Sequence, residues 1–374
     1  MRPLRIALLA LPALMPLRGE EPAEEACQAL AHRIEAGLNA GDGKPLDQAL
    51  DWDALLDKAL EGCPGDPAKK RGFREGVTKG GKASLSRSIL EAIRESGSYK
   101  LLRIRKGDAG TSAVFRMLMS DGAVNYHEML LPGDCRISDV HVATTGEWMS
   151  QTLRRPYLLM LAEEQKGLIE KLLLGEGDFL RSAPRIREAQ RLFLSGDAAG
   201  SLRILRALPE ALRKERFILN QEVAVAARLG SQEMEETLAV FEKAHPGDPA
   251  LEFLLLDRYV DRKEHDRALV CVDRLDKAVG GDPHLDFLRA NICYAAGRFE
   301  EAKAHARRAI EGEPTLGGPY WTLVTVSLDQ KDYPETARLL TLVQEKLGVG
   351  LQDLHGVEAY AGFVESEAYR EWKR

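Results

Sequence analysis

The chain lacks the short motifs by which several enzyme classes and nucleic-acid-binding proteins are identified. Its 374 residues include only 5 cysteines and no Cys-x-x-Cys pair, so the cysteines fit no zinc motif. No stripe of lysine and arginine follows a helix, and the formal net charge is −6, which argues against nucleic acid as a partner. There is no nucleophile elbow, phosphate-binding loop or metal-binding histidine pair. We therefore expect a protein that is not an enzyme and that uses no cofactor and no metal.

Long apolar runs are also scarce, and the one at the N-terminus is short. Arg2 and Arg5 precede an apolar run over residues 6–17, and polarity rises abruptly at Arg18. A charged start and a short apolar core are typical of a secretory signal. We expect residues 1–19 to be a signal peptide, the protein to be periplasmic or secreted, and no integral membrane span to remain after signal removal. The alternative is an apolar N-terminal helix of a cytoplasmic protein.

The few cysteines do not settle the compartment. Export would permit disulfides, and an odd total leaves at least one thiol. Cys27 and Cys63 are the pair to test first, because both lie in the first predicted helical hairpin. Cys271 and Cys293 fall within later helical patterns, where a cysteine behaves as a small core residue.

One spacing recurs in the C-terminal half of the chain. Three sets of positions return at intervals of 34 residues: Phe253, Phe287 and Trp321; His265, Phe299 and Tyr333; and Ala268, Ala302 and Thr336. Each interval contains an apolar helical pattern, a short break and a second helical pattern, which together indicate a helix-turn-helix repeat. One such unit cannot bury its apolar face alone. The repeats must therefore stack into an α-solenoid.

The repeat resembles the tetratricopeptide repeat. The best match is the unit over residues 285–314, which has the family's small residue, turn glycine, aromatic, packing alanines and terminal proline. These are Ala290, Gly297, Phe299, Ala302, Ala306, Ala309 and Pro314. Asp286 and Arg289 stand where the family has tryptophan and leucine. Two less regular helix pairs precede the repeats that show the 34-residue interval. The array is therefore expected to start near residue 185, to have about five units and to end in a capping helix.

The resemblance also implies a binding surface. In tetratricopeptide proteins the first helix of each unit lines a groove that binds a protein or peptide. The matching positions in this chain are Phe253, Asp257, Phe287, Asn291, Tyr294 and Trp321. A repeated aromatic offers a large contact area with little side-chain entropy to lose, but aromatics at helical spacing are also common packing residues. The first hypothesis is a non-enzymatic adaptor or scaffold.

Residues 22–147 show helical patterns first and strand patterns afterwards. Four strands are predicted over 99–106, 112–119, 123–131 and 136–143, with Asp121-Gly122 as a hairpin turn. This order predicts an α+β domain in which helices cover one face of an antiparallel meander. It resembles the nuclear transport factor 2-like (cystatin-like) fold, which implies a curved sheet that can leave a pocket or form a homodimer. A helical linker over 148–184 would join this domain to the repeats over 185–374.

The sheet offers one candidate pocket, formed by Tyr126, His127, Asp139 and His141. A carboxylate and an imidazole on neighbouring strands could transfer a proton. Strand alternation, however, places Tyr126 and His127 on opposite faces, so half of the set must point away from any common site. We favour ordinary polar alternation on a half-exposed sheet. The alternative function is a small-molecule-binding or enzymatic domain that the repeats recruit to partners.

Overall fold

The computed structural model describes residues 21–81, 84–107, 110–164, 177–351 and 353–374. These residues form two compact units. The first holds Arg71–Val140 and the described chain up to Lys58, and the second holds Ala59–Lys70 and the described chain from His141 onward. The signal peptide predicted over residues 1–19 and residues 165–176 of the predicted helical linker lie outside the described residues.

Helices come first, as predicted. They are α1 (Glu21–Asn39), α2 (Lys44–Ala49), α3 (Trp52–Leu60), α4 (Pro67–Gly81) and α5 (Ser84–Ala92). The buried stripe of α1 is Cys27, Ala31, Ile34 and Leu38, whereas Ala26 is exposed. A strict spacing of four drifts around a helix of 3.6 residues per turn, whereas alternate steps of four and three keep to one face.

The strands form a meander against α1. They are β1 (Ser98–Gly107), β2 (Gly110–Leu118), β3 (Val124–Leu131) and β4 (Asp139–Val142), in that order across the sheet. β2 is antiparallel to both β1 and β3, and Gly122 makes the turn between β2 and β3 with a φ of 89°. The border between the units falls within β4, whose residues His141 and Val142 pair with a short strand β5 (Glu147–Trp148) in the second unit.

Helix α1 is fixed to the sheet at its C-terminal end. The Asn39 side chain donates to the carbonyl of Tyr99 at 2.7 Å and accepts from the Tyr99 amide at 2.9 Å. Because α1 packs on β1 and β2, the apolar side chains of α1 meet the buried face of the sheet. This confirms the predicted order of helices followed by a covered antiparallel sheet.

A disulfide joins Cys27 to Cys135, 108 residues later in the chain. The expected Cys27–Cys63 pair is therefore wrong. Helix α1 brings Cys27 beside the loop that follows β3, where the Cα atoms of Cys27 and Cys135 lie 5.1 Å apart, within the range that a disulfide requires. Cys63 is a buried thiol whose Sγ donates to the carbonyl of Ala59 at 3.7 Å.

The second unit is built of helix pairs. After α6 (Met149–Glu164) come the pairs α7 (Gly177–Leu194) and α8 (Ala198–Arg206), then α10 (Arg216–Ala226) and α11 (Ser231–Ala244), with a short α9 (Glu210–Arg213) between these two pairs. Three further pairs are α12 (Pro249–Asp261) and α13 (His265–Val279), α14 (Pro283–Ala295) and α15 (Phe299–Gly312), and α16 (Gly317–Asp329) and α17 (Tyr333–Leu347). No helix among those described is long and apolar enough to cross a membrane. The predicted solenoid of helix-turn-helix repeats is confirmed.

The 34-residue period is set by where the helices begin. The first helices α12, α14 and α16 start 34 residues apart, and so do the second helices α13, α15 and α17. Asp248 and Asp282 cap α12 and α14, accepting from the amides of Ala250 at 2.9 Å and His284 at 3.0 Å. An aspartate cap followed by proline at the first helical position fixes a helix start, so the same sequence signal sets the same register in successive units.

Small residues lie where the helices cross. Ala302 of α15 is completely buried against Cys293 of α14 and Val326 of α16. With only a methyl group between them, the three helix backbones approach closely and the units stack. Cys271 is also buried in its helix, which confirms that both repeat cysteines are core residues.

The last apolar face is covered by two short helices, α18 (Ala361–Val364) and α19 (Glu367–Trp372), rather than by one capping helix. Ser366 separates them, because its hydroxyl accepts from the amide of Tyr369 and starts a new helix. Phe363 and Tyr369 are buried against α17, whereas Val357 remains exposed.

Candidate protein-binding surface

The six residues predicted to bind a partner all lie on first helices of the regular repeats. Phe253 and Asp257 are on α12, Phe287, Asn291 and Tyr294 are on α14, and Trp321 is on α16. Asp257 and Asn291 are exposed, and the four aromatic side chains are partly exposed.

The exposed stripe on each first helix is wider than the predicted set. Starting from the aromatic, the residues four, seven and eight positions later share its face. We call these positions on the three helices the first-helix face: Phe253, Asp257, Val260 and Asp261; Phe287, Asn291, Tyr294 and Ala295; Trp321, Thr325, Leu328 and Asp329. Every one of them is partly or fully exposed, whereas Leu255, Ala290 and Leu323 on other faces of these helices are buried. The sequence signal for the missed positions was the helical spacing from each aromatic.

Direct side-chain contacts join the face across α14 and α16. The hydroxyl of Thr322 donates to the side-chain oxygen of Asn291 at 2.9 Å, and the hydroxyl of Tyr294 donates to the carboxylate of Asp329 at 2.7 Å. Asn291 and Tyr294 are therefore held by the following repeat. The face is continuous over these two helices.

The aromatic residues each pack on one side and are exposed on the other. The ring of Phe287 lies 5.6 Å from that of His284 and directly over Gly318, where an added Cβ would come within 2.5 Å of the ring. Trp321 packs against the buried cluster that includes Tyr320 and Leu323. Neither the groove interpretation nor the core interpretation alone describes them.

The carboxylates of the face have an unusual environment. Asp257 and Asp261 are one helical turn apart, both are exposed, and neither forms an ion pair within the described chain. The surrounding protein desolvates Asp257 and raises its pKa, and the like charge of Asp261 raises that pKa further. The main cause that raises the pKa of Tyr294 is its hydrogen bond to Asp329.

Asp286 and Arg289 of α14, which depart from the tetratricopeptide pattern, form a polar network outside the first-helix face. Arg289 lies 3.0 Å from Asp273, 3.0 Å from Asp276 and 3.4 Å from Asp286. Asp286 in turn lies 2.9 Å from Nδ1 of His305. Asp286 and Arg289 thus hold α14 to its neighbours through ion pairs where the family uses apolar packing.

Tyr126 and His127 of the first unit are neighbours on β3, so their side chains leave the strand on opposite faces, as alternation predicts. Both are buried. The Nδ1 of His127 lies 3.0 Å from the hydroxyl of Tyr99, and its Nε2 lies 3.4 Å from the Asn125 amide. Burial raises the pKa of Tyr99 well above its usual range. His127 is thus part of a buried hydrogen-bonded set whose other members, Tyr99 and Asn125, sequence reasoning missed.

The remaining two residues of the candidate pocket lie on β4. Asp139 is buried and accepts from the amide of Val140 at 2.9 Å. His141 is partly exposed, and its ring lies 5.3 Å from that of Trp148. Local packing and backbone contacts therefore surround each of them.

A cleft of about 460 Å³ in the second unit was not predicted. Its walls include Arg155, Glu147, Arg216 and Phe217. Arg155 is paired with Glu147 through both of its terminal nitrogens and lies 4.4 Å from the centre of the Phe217 ring. Arg216 is paired with Asp248 and donates to the carbonyl of Gly146 at 2.6 Å. These arginines are engaged within the protein, so they serve the packing of the helices.

No protein-family model and no curated protein matches this sequence. Among solved structures, the chain is similar to residues 41 to the end of MamA from Desulfovibrio magneticus RS-1, with 18% identity over 44% of this chain and 93% of that one and a TM-score of 0.37. It is also similar to PilW, described as a widely conserved type IV pilus biogenesis factor, with 12% identity over 51% of this chain and 90% of that one and a TM-score of 0.36.

A third similarity is to the TPR2AB domain of yeast Sti1, solved as a complex with pHSP90, with 17% identity over 59% of this chain and 86% of that one and a TM-score of 0.25. At these TM-scores the similarities are not used as an argument for the fold. The repeat architecture rests on the helices of this chain.

Proposed function

We propose that the chain is a non-enzymatic adaptor or scaffold that binds a protein or peptide on the first-helix face of its tetratricopeptide-like repeats. The observation that carries this proposal is the row of Phe253, Phe287 and Trp321, which recur at the same position of successive first helices and are partly exposed in each. Partly exposed aromatics on a framework of packed helices are the residue type that dominates binding energy at protein interfaces.

The framework supports this role because it is already ordered. The bonds from Thr322 to Asn291 and from Tyr294 to Asp329 hold two neighbouring first helices side by side. A partner that docks here orders little of the adaptor, so less of the interaction free energy is lost to entropy.

The direct test is retention of partners from cell extract on the immobilised full chain. We expect at least one protein to be retained by the wild type and lost with Phe287→Ala/Trp321→Ala. Val270→Ala is a matched control, because Val270 is 46% exposed but lies on the second helix α13. If the wild type and the double variant retain the same proteins, the proposed surface is wrong.

We also propose that the protein acts outside the cytoplasm. The Cys27–Cys135 disulfide supports this, because disulfides persist in oxidising compartments. The charged start and short apolar run of residues 1–19 support it independently. A reporter fused after residue 40 should be exported only when residues 1–19 are present. Recovery of that reporter in the cytosol with Met1 retained would contradict export.

For the first unit we propose a nuclear transport factor 2-like domain with a structural or dimer-forming role. Its helices before a covered sheet support the fold, and the engagement of His127 with Tyr99 and Asn125 supports a structural role for that histidine. Analytical ultracentrifugation should show a homodimer, and a monomer at all concentrations would refute dimerisation. A small molecule retained in native mass spectrometry would instead support the alternative of a ligand-binding domain.

A further inference from the structure

The charges on the first-helix face are of one sign. The face carries the carboxylates of Asp257, Asp261 and Asp329, and none of its positions holds a lysine or an arginine. The cations of these repeats lie mainly on the second helices, including Arg267 and Arg274 on α13. The face is therefore both aromatic and acidic.

Acidic residues on the other sides of the same helices are matched by cations. Glu252 of α12 is fully buried and accepts from Arg274 at 2.7 Å. One repeat later, Asp286 of α14 lies 3.4 Å from Arg308, which occupies the position equivalent to Arg274. In both of these repeats an arginine of the second helix lies beside the inward acid of the first helix. Asp257 and Asp261 have no ion pair of this kind within the described residues.

That arrangement is unfavourable for the isolated protein. Like charges four residues apart on a helix repel one another. Loss of water around the Asp257 carboxylate raises its pKa, and the charge of Asp261 raises that pKa further. A cation supplied by a partner would relieve the repulsion. Lys263 and Lys331 lie in the turns that follow α12 and α16 and not on the face itself.

The spacing of rings and carboxylates suits a long cationic side chain. Phe253 and Asp257 are one turn apart, which places them about 6 Å apart along the helix axis. A lysine or arginine can lay its aliphatic stem on an aromatic ring while its charged head reaches a carboxylate one turn away. Phe287 and Trp321 hold the equivalent position on the next two first helices.

We propose that the first-helix face binds a basic segment of a partner protein, one that carries lysine or arginine side chains next to apolar ones. This inference rests on the proposed function and adds the chemistry of the partner to it. Asp257 and Asp261 receive the cationic heads, and Phe253, Phe287 and Trp321 receive the apolar side chains and stems.

The test uses a phage-displayed library of random twelve-residue peptides, selected against the immobilised full chain and counter-selected against Phe287→Ala/Trp321→Ala. We expect the enriched peptides to carry a net positive charge. A synthetic copy of the most enriched peptide should bind Asp257→Asn/Asp261→Asn about tenfold more weakly than wild type at low ionic strength. The difference should shrink in about 0.5 M salt, where charges more than a few ångströms apart are screened.

The matched control is Glu311→Gln/Glu345→Gln, which removes two exposed carboxylates from the second helices α15 and α17 and should leave peptide binding unchanged. Circular dichroism of both double variants checks that the helices remain folded. Charge reversal with Asp257→Lys/Asp261→Lys should enrich acidic peptides in a repeated selection.

The outcomes separate this inference from the function on which it rests. Peptides that require Phe287 and Trp321 but are neutral or acidic, or that bind the asparagine variant as well as wild type, overturn the basic partner and leave the adaptor surface standing. A library that yields no peptide whose binding depends on Phe287 and Trp321 overturns both.

Discussion

The hydroxyl of Tyr294 donates a 2.7 Å hydrogen bond to the carboxylate of Asp329, and this bond crosses from one repeat to the next. Tyr294→Phe removes the donor and leaves the ring. We expect the free energy of unfolding near neutral pH to fall by about 0.5–1.5 kcal/mol. In an Asp329→Asn background the same substitution should have a smaller effect, because the charged acceptor is already lost. Equal effects in both backgrounds, measured by denaturant unfolding, would mean that the bond does not contribute.

The crossing point of α14, α15 and α16 gives a second prediction. Ala302 is completely buried there, so Ala302→Leu should overpack the contact and lower the free energy of unfolding by about 1–3 kcal/mol. Ala304 lies on the same helix and is exposed, so Ala304→Leu is a control that should change stability little. If the two substitutions shift the melting curve equally, the packing at the crossing is not as described.

The period of the repeats could be predicted because local sequence signals determine where each helix starts. Each first helix of the regular units starts 34 residues after the one before, and Asp248 with Pro249 and Asp282 with Pro283 mark two of those starts in the sequence. Apolar spacing then identifies the buried side of each helix. Such signals involve only a few neighbouring residues, so they can be recognised without knowledge of tertiary contacts.

Features that depend on distant parts of the chain could not be predicted in the same way. The partner of Cys27 is Cys135 because α1 folds onto the sheet, and no local pattern near Cys27 records that contact. The hydrogen bond between Tyr99 and His127 likewise depends on strand register. On the first-helix face, Asp261 and Asp329 were not predicted, although helical spacing from Phe253 and Trp321 places both on the same face as the aromatics.

Asp257 gives a prediction with a definite pH dependence. Its raised pKa means that the folded protein holds this proton more tightly than the unfolded chain, so the stability gained from protonation is present in acid and is lost as pH rises through the folded pKa. Asp257→Asn removes the ionisation. Near neutral pH the variant should be more stable than wild type by about 0.2–0.5 kcal/mol, the size of a like-charge pair on a helix.

That advantage should fade as the pH falls below about 4, the ordinary pKa of an aspartate, because the carboxyl then becomes protonated in both states. Denaturant unfolding over this pH range measures it, and Glu311→Gln on the second helix α15 is the control, for which no such trend is expected. A variant that is less stable than wild type near neutral pH would contradict the repulsion between Asp257 and Asp261.

The disulfide gives a prediction for the first unit. Because Cys27 and Cys135 are 108 residues apart, the bond restricts the unfolded chain over a long loop. Reduction should lower the free energy of unfolding by about 2–4 kcal/mol. Thermal unfolding with and without reductant measures the effect, and Cys27→Ser/Cys135→Ser should melt at the lower temperature in both conditions. Alkylation of both cysteines in protein that was never reduced would show that the bond is absent.

Phe287 and Trp321 separate a binding role from a packing role. Both side chains are partly exposed, so truncation of either to alanine should weaken binding of a selected peptide by about 1–4 kcal/mol, the range of aromatic hot spots. Phe241 of α11 is completely buried and serves as the reference for a core aromatic, for which truncation costs about 3–5 kcal/mol of stability. Phe287→Ala should lower the melting temperature much less than Phe241→Ala. Trp321→Ala should fall between them, because Trp321 also packs against the buried cluster around Leu323. If Phe287→Ala destabilises the protein as much as Phe241→Ala does, Phe287 is a core residue and the first-helix face loses its central contact.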